Sequence, residues 1–134
     1  MDPNLILFLT EVTASCPGLK SIWLFGSRAN GTATATSDWD LIAFGNETTL
    51  KYLHAAQHLH NPSIDFFVVA NGDDLRAPWG ADDKLLSLSE LSWDEVSDGL
   101  AEYVQSKAGS EPDSSATLKK VRAIRVWPTE AVNT

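Results

Sequence analysis

The stretch "LFGSRANGTATATSDWDLIAFG", residues 24–45, holds three unlike features. An apolar run stops at Gly26-Ser27, small polar residues follow, and Asp38 and Asp40 then open a second apolar run. Residues two apart on a strand face the same side, roughly 6–7 Å from each other. Two carboxylates at that spacing repel by about 2–3 kcal/mol at an effective dielectric near 20. An acid pair at the head of a buried strand therefore needs a compensating charge. Mg²⁺ is one candidate, since it takes oxygen ligands, usually one or two carboxylates together with phosphates. The Gly-Ser turn suits phosphate as well. Gly26 lets the backbone come close to a ligand, the amides and hydroxyl of Ser27 can donate to phosphate oxygens, and a helical turn starting there favours an anion. Arg28 adds positive charge, either to phosphates or to an acid.

Working outward, 21–25 and 39–44 read as strands, with a loop or a loop plus one helical turn over 26–37. Ile64 to Ala70 reads as a third strand, closed by the turn Asn71-Gly72-Asp73-Asp74. Asp65 lies near its start. If strands 39–44 and 64–69 are neighbours, three carboxylates could hold two metal ions, which clamp the attacking and leaving oxygens of a displacement at phosphorus. Asp65 would then be placed to accept the proton of an attacking hydroxyl.

Asp2-Pro3 opens a helix with Leu5, Phe8, Leu9 and Val12 at helical spacing, ended by Cys16-Pro17-Gly18. Residues 47–60 read as another helix, ended by Asn61-Pro62. Beyond the polar segment 71–84, Lys84 to Leu91 reads as a strand. Ser92-Trp93-Asp94-Glu95 has a capping-box pattern ahead of a helix carrying Trp93, Val96, Leu100, Tyr103 and Val104. Residues 118–127 read as a last strand. The expected class is α/β, in detail α+β: a short mixed sheet with helices packed on it. Residues 1–134 read as one domain with a motif core over 21–70, a mobile loop over 107–117 and a loose tail over 129–134.

A chain of 134 residues, 43% hydrophobic, fits one domain with a real core. The net charge of −8 repels a polyphosphate backbone unless basic residues cluster or metal ions intervene, so a nucleic-acid acceptor is disfavoured. No apolar run approaches the length of about 18 residues that a membrane span needs. The opening Met1-Asp2-Pro3-Asn4-Leu5 has no basic region and no small-residue cleavage site, so no secretory leader is expected. Cys16 is the single cysteine, and a cytoplasmic location is the expectation.

Gly26-Ser27, ten residues, then Asp38-x-Asp40, with a later acid on a strand, resembles the nucleotidyltransferase superfamily of the polymerase-β type. The surrounding "GSRANG" and "TSDWDL" look most like its minimal stand-alone domains. The resemblance covers residues 21 to about 70. It implies metal-dependent transfer of a nucleoside monophosphate from a nucleoside triphosphate, ATP first among them, to a hydroxyl acceptor, with release of pyrophosphate. It implies Gly26 and Ser27 on the β- and γ-phosphates, with Arg28 beside them. It implies Asp38 and Asp40 on two Mg²⁺ ions (Mn²⁺ as the substitute), and Asp65 completing one metal site and assisting the acceptor. Larger relatives add a helical domain for base and acceptor, for which residues 71–134 leave no room. The expected acceptor is a protein or small-molecule hydroxyl, and the missing walls of the pocket would come from a homodimer or a companion protein.

Plainer readings attach to the same residues. Asp38 and Asp40 would suit a solvated strand edge or an N-cap, Asp65 and Ser27 a turn, and Arg28 a surface ion pair worth little. His54 and His58, four apart on a predicted helix, lack a third ligand and read as a polar face. Trp79 sits in a loop, where it could stack on a base but packs more simply. Lys119, Lys120, Arg122 and Arg125 read as a solvated edge strand. For the whole chain, the rivals are a non-catalytic nucleotide- or partner-binding relative, an antitoxin-like subunit of a two-component toxin–antitoxin system, and modification of a sugar-like hydroxyl on an antibiotic. The intact set Gly26, Ser27, Asp38, Asp40 and Asp65 argues against loss of catalysis.

Overall fold

Asp2 caps the first helix by accepting from the Asn4 and Leu5 amides at 2.9 and 3.1 Å. Pro3 supplies a preset φ at the first helical position, and α1 (Pro3–Ser15) runs to Cys16. The computed structural model describes residues 2–31, 33–34, 36–79, 87–104 and 120–128. Leu5, Phe8, Leu9 and Val12 form the buried stripe of α1, as their spacing predicts. Each contributes about 1.5–3 kcal/mol by leaving water.

That stripe covers one face of a seven-stranded sheet. Its strands are β1 (Ser21–Phe25), β2 (Trp39–Phe44), β3 (Ile64–Val69), β4 (Leu75–Arg76), β5 (Asp94–Ser97), β6 (Leu100–Val104) and β7 (Lys120–Trp127). They stand in the order β4-β3-β2-β1-β7-β6-β5. Among the described residues, only β2 and β3 pair in parallel; the other pairings are antiparallel. A parallel step needs a crossover, made here by α3 (Glu47–Ala55) and a 3-10 turn, Gln57–Leu59. A four-residue helix, α2 (Ser27–Asn30), follows β1, and another, α4 (Leu88–Leu91), precedes β5. No described helix is long and apolar enough to cross a membrane.

Alternation along the strands builds two cores. Ile22, Leu24, Leu41, Ala43, Phe66 and Val68 pack beneath α1 and α3. Trp23, Ile42, Val69, Ala101, Tyr103 and Ala123 face the other way, with Leu91 of α4 and Trp93 laid over them. Because β1 runs antiparallel to β2, the end of β1 and the starts of β2 and β3 lie at one end of the sheet. There the second face carries Asp40 and Asp65.

The first half follows the sequence reading, except that helix 47–60 divides into α3 and the 3-10 turn. The second half departs from it. Of the strand expected over 84–91, residues 84–86 lie outside the described residues, and Leu88–Leu91 is a helical turn. Its capping box is Ser87 with Glu90, one stretch earlier than the expected Ser92 and Glu95. The helix expected over 93–104 is the hairpin β5–β6. The Asp98-Gly99 turn decides this, with Gly99 at φ +79°, a conformation glycine takes at no steric cost. β7 is an interior strand between β1 and β6, not an edge. The loop expected over 107–117 and the tail over 129–134 lie outside the described residues.

Trp79 packs: its indole N–H donates to the Leu53 carbonyl at 2.6 Å, and its ring stacks on Phe66. His54 Nδ1 lies 3.0 Å from the Pro78 carbonyl, and His58 sits in the 3-10 turn, off the helix they were expected to share.

Candidate active site

Phe25, the last residue of β1, pairs with Asp40. Gly26 therefore leaves the strand directly above the Asp40 carboxylate. A Cβ at position 26 would collide with that carboxylate. The backbone there has φ +77° and ψ −160°, a region essentially reserved for glycine. Two independent constraints thus demand the glycine: its own torsions and the side chain beneath it.

The parallel register of β2 and β3 sets Asp40 opposite Asp65. Asp40 is half-buried and Asp65 exposed. Burial pushes the Asp40 carboxyl up from 3.8 to about 7, and the charge of Asp65, a hydrogen bond to Asp65 and the charge of Asp38 add to the rise. Neighbouring carboxylates cannot both ionise freely, so in the metal-free chain Asp40 keeps its proton to a higher pH than an ordinary aspartate. Asp38 stands one residue ahead of β2, exposed, on the rim of a cleft of about 230 Å³ on the α1 side. Asp38 and Asp40 thus do not share one strand face as two strand residues would.

Arg28 braces the loop between the motifs. Its Nε and Nη2 donate to the Ser37 carbonyl at 3.2 and 2.7 Å, and its guanidinium lies 4.4 Å from the Trp39 ring centroid. A cation over an indole face contributes about 0.5–1 kcal/mol at an exposed site. Ser27 opens α2 directly after Gly26. Asn30 ties this turn to β7: its Nδ2 donates to the Gly26 carbonyl at 2.9 Å and the Arg122 carbonyl at 3.0 Å, and its Oδ1 accepts the Arg122 amide at 2.9 Å.

The structure thus brings together Gly26, Asp40 and Asp65, places Asp38 and Ser27 at their margin, and uses Arg28 to hold the loop. Among the described residues, no group of three or more His, Cys, Asp or Glu side chains is arranged to hold a metal ion. The donor chemistry still suits a hard cation: two touching carboxylates, acceptor-only when ionised, with further oxygens to come from a phosphate-bearing ligand.

Two residues escaped sequence reasoning. Asn30 sits inside "GSRANG", four residues after Gly26, a spacing that reaches back to its carbonyl in a single helical turn. Tyr103, on β6, accepts the Gly26 amide at 2.9 Å with its hydroxyl. Burial raises the Tyr103 phenol, the Gly26 hydrogen bond lowers it in part, and Asp40 raises it further. Once residues 100–104 are known to be a strand, alternation places Tyr103 on the same face as Ala101, toward the site.

Residues 9–86, more than half of the chain, match the family described as Polymerase beta, Nucleotidyltransferase. Among solved structures, the chain is similar to a candidate nucleotidyltransferase from Sulfolobus solfataricus, at 26% identity and a TM-score of 0.42. That similarity covers 49% of this chain and 63% of the other. No curated protein matches.

Proposed function

Since the chain belongs to the polymerase-β nucleotidyltransferase family, we propose that it transfers a nucleoside monophosphate from a nucleoside triphosphate, ATP first among them, to a hydroxyl acceptor. Transferases of this family generally use divalent metal ions. The observation that carries the proposal is the Asp40–Asp65 contact beneath the Gly26 turn. Asp38, Asp40 and Asp65 would hold Mg²⁺, or Mn²⁺ in its place, and that charge would polarise the triphosphate and the attacking oxygen. The Gly26 turn and Ser27 would bring the terminal phosphates over Asp40, with Arg28 holding the loop in register. The acceptor oxygen bonds to the α-phosphorus, the bond from that phosphorus to the pyrophosphate oxygen breaks, and the acceptor proton passes to Asp65.

The acceptor is a protein or small-molecule hydroxyl, because a net charge of −8 repels nucleic acid. Calorimetry with ATP in Mg²⁺ and in EDTA, alongside release of pyrophosphate, tests the proposal. Tight binding in Mg²⁺ and its loss in EDTA and in Asp40→Asn is the expected result. Equal binding in EDTA would refute the metal assignment.

A further inference from the structure

The part of the chain that follows the family match reaches the site through Tyr103. This residue is 5% exposed, with its ring edge-on to Phe25 at 5.8 Å and stacked with Trp93 at 6.2 Å. The aromatic packing fixes where the hydroxyl points. Its oxygen accepts the Gly26 N–H, so that amide is already engaged. A phenol that accepts one hydrogen bond still has its own O–H to give. No other described residue receives that proton. Among the described residues, the hydroxyl therefore stands at the Gly26 turn, near Asp40, with a donor to spend.

We propose that Tyr103 contacts the substrate: held on the Gly26 amide, its hydroxyl donates to a terminal phosphate oxygen of the bound triphosphate. This rests on the reading of the site as a triphosphate site. The Gly26 amide then acts through the tyrosine, in a chain N–H to O–H to phosphate oxygen whose two hydrogen bonds strengthen each other. The buried ring is ordered before the ligand arrives, so little side-chain entropy is lost on binding. A short chain thereby adds a phosphate donor from its second half to a motif confined to its first.

Tyr103→Phe keeps the ring and removes the donor. In calorimetry with Mg²⁺, the variant should bind ATP roughly 10- to 100-fold more weakly, the loss expected for a hydrogen bond to a charged group. AMP, which lacks the terminal phosphates, should bind as it does to the wild type. Circular dichroism checks that the variant is folded. A second measurement uses the wild type alone: with ¹³C at the tyrosine ζ carbon, the Tyr103 resonance should move on adding Mg²⁺ and ATP but not Mg²⁺ and AMP. Unchanged ATP affinity, equal losses for ATP and AMP, or an unmoved ¹³C resonance would each overturn the inference while leaving the proposed function standing. A wild type that binds no triphosphate would overturn both.

Discussion

Gly26→Ala tests the geometry of the site and needs no knowledge of the acceptor. At φ +77° and ψ −160°, any residue with a Cβ is strained by about 1–3 kcal/mol. The new methyl also meets the Asp40 carboxylate. That group is the end of a side chain and can swing aside, at about 0.5–1.5 kcal/mol for leaving its preferred rotamer. The sum is about 1.5–4.5 kcal/mol, a large share of a typical stability of about 5–15 kcal/mol. At this chain length each kcal/mol lowers Tm by roughly 3–5 °C. The assay is thermal and urea unfolding of wild type, Gly26→Ala, Asp40→Ala and the double variant. Removing the Asp40 carboxylate should recover the steric part alone, so the coupling energy should be about 0.5–1.5 kcal/mol while the torsional cost persists. A Gly26→Ala chain within about 0.5 kcal/mol of wild type, or a coupling of zero, would refute the reasoning. The displaced Asp40 should also abolish Mg²⁺-dependent ATP binding in Gly26→Ala, even where the variant remains folded.

Other outcomes follow from the same contacts. The Asp40 carboxyl titrates at about 7 in the native chain against 3.8 for an ordinary aspartate. The native state thus binds the extra proton between those values, and stability in EDTA is full below that window and falls as pH rises through it. Melting from pH 4 to 8 should show this slope in the wild type and a weaker one in Asp40→Asn and in Mg²⁺; a flat wild-type profile would contradict it. Asp65→Asn should lose nucleotidyl transfer far more than ATP affinity, read from kinetics and calorimetry on one preparation, whereas equal losses would make Asp65 a plain metal ligand. Thr49, fully buried, accepts the Asn46 amide at 3.0 Å and donates to the Pro17 carbonyl at 2.7 Å. Thr49→Val leaves both unpaired and should cost about 2–4 kcal/mol in urea unfolding, with Thr49→Ser much milder.

Residues 3–69 were legible because each element there carries its own punctuation. Asp2 and Pro3 start α1, Gly26 ends β1, Asn46 caps α3 and Asn61-Pro62 closes the crossover. The stretch 93–104 carried two signals at once. Trp93, Val96, Leu100, Tyr103 and Val104 fit a helical period, while Ala101 and Tyr103 fit a strand alternation on either side of other residues. Short segments satisfy both periods, and the Asp98-Gly99 turn, with Gly99 at positive φ, settles it in favour of two strands. β7 was misplaced for a different reason. Its basic residues suggested an exposed edge, but Arg125 reaches Asp98 at 3.2 Å and the Arg122 backbone is bound by Asn30. Charged side chains at the ends of their reach can belong to an interior strand.

The candidate site could be proposed from its residue types, but its assembly could not be read from the sequence. Asp40 and Asp65 meet because β2 and β3 are parallel and in one register. A shift of a single residue would have sent one carboxylate to the opposite face, beneath α1. Nothing in the spacing of residues 38–65 states that register; the crossover through α3 and the burial of Leu41 against Phe66 and Ile42 against Phe67 select it. Asp38 illustrates the converse. Its place two residues before Asp40 predicts a shared strand face, but the strand begins only at Trp39, whose ring is held by Arg28 on the α1 side. Asp38 is therefore governed by the loop and not by the pleat. Were a cation taken up between Asp40 and Asp65, Asp38 would reach it only from the loop that Arg28 holds by its two hydrogen bonds to Ser37.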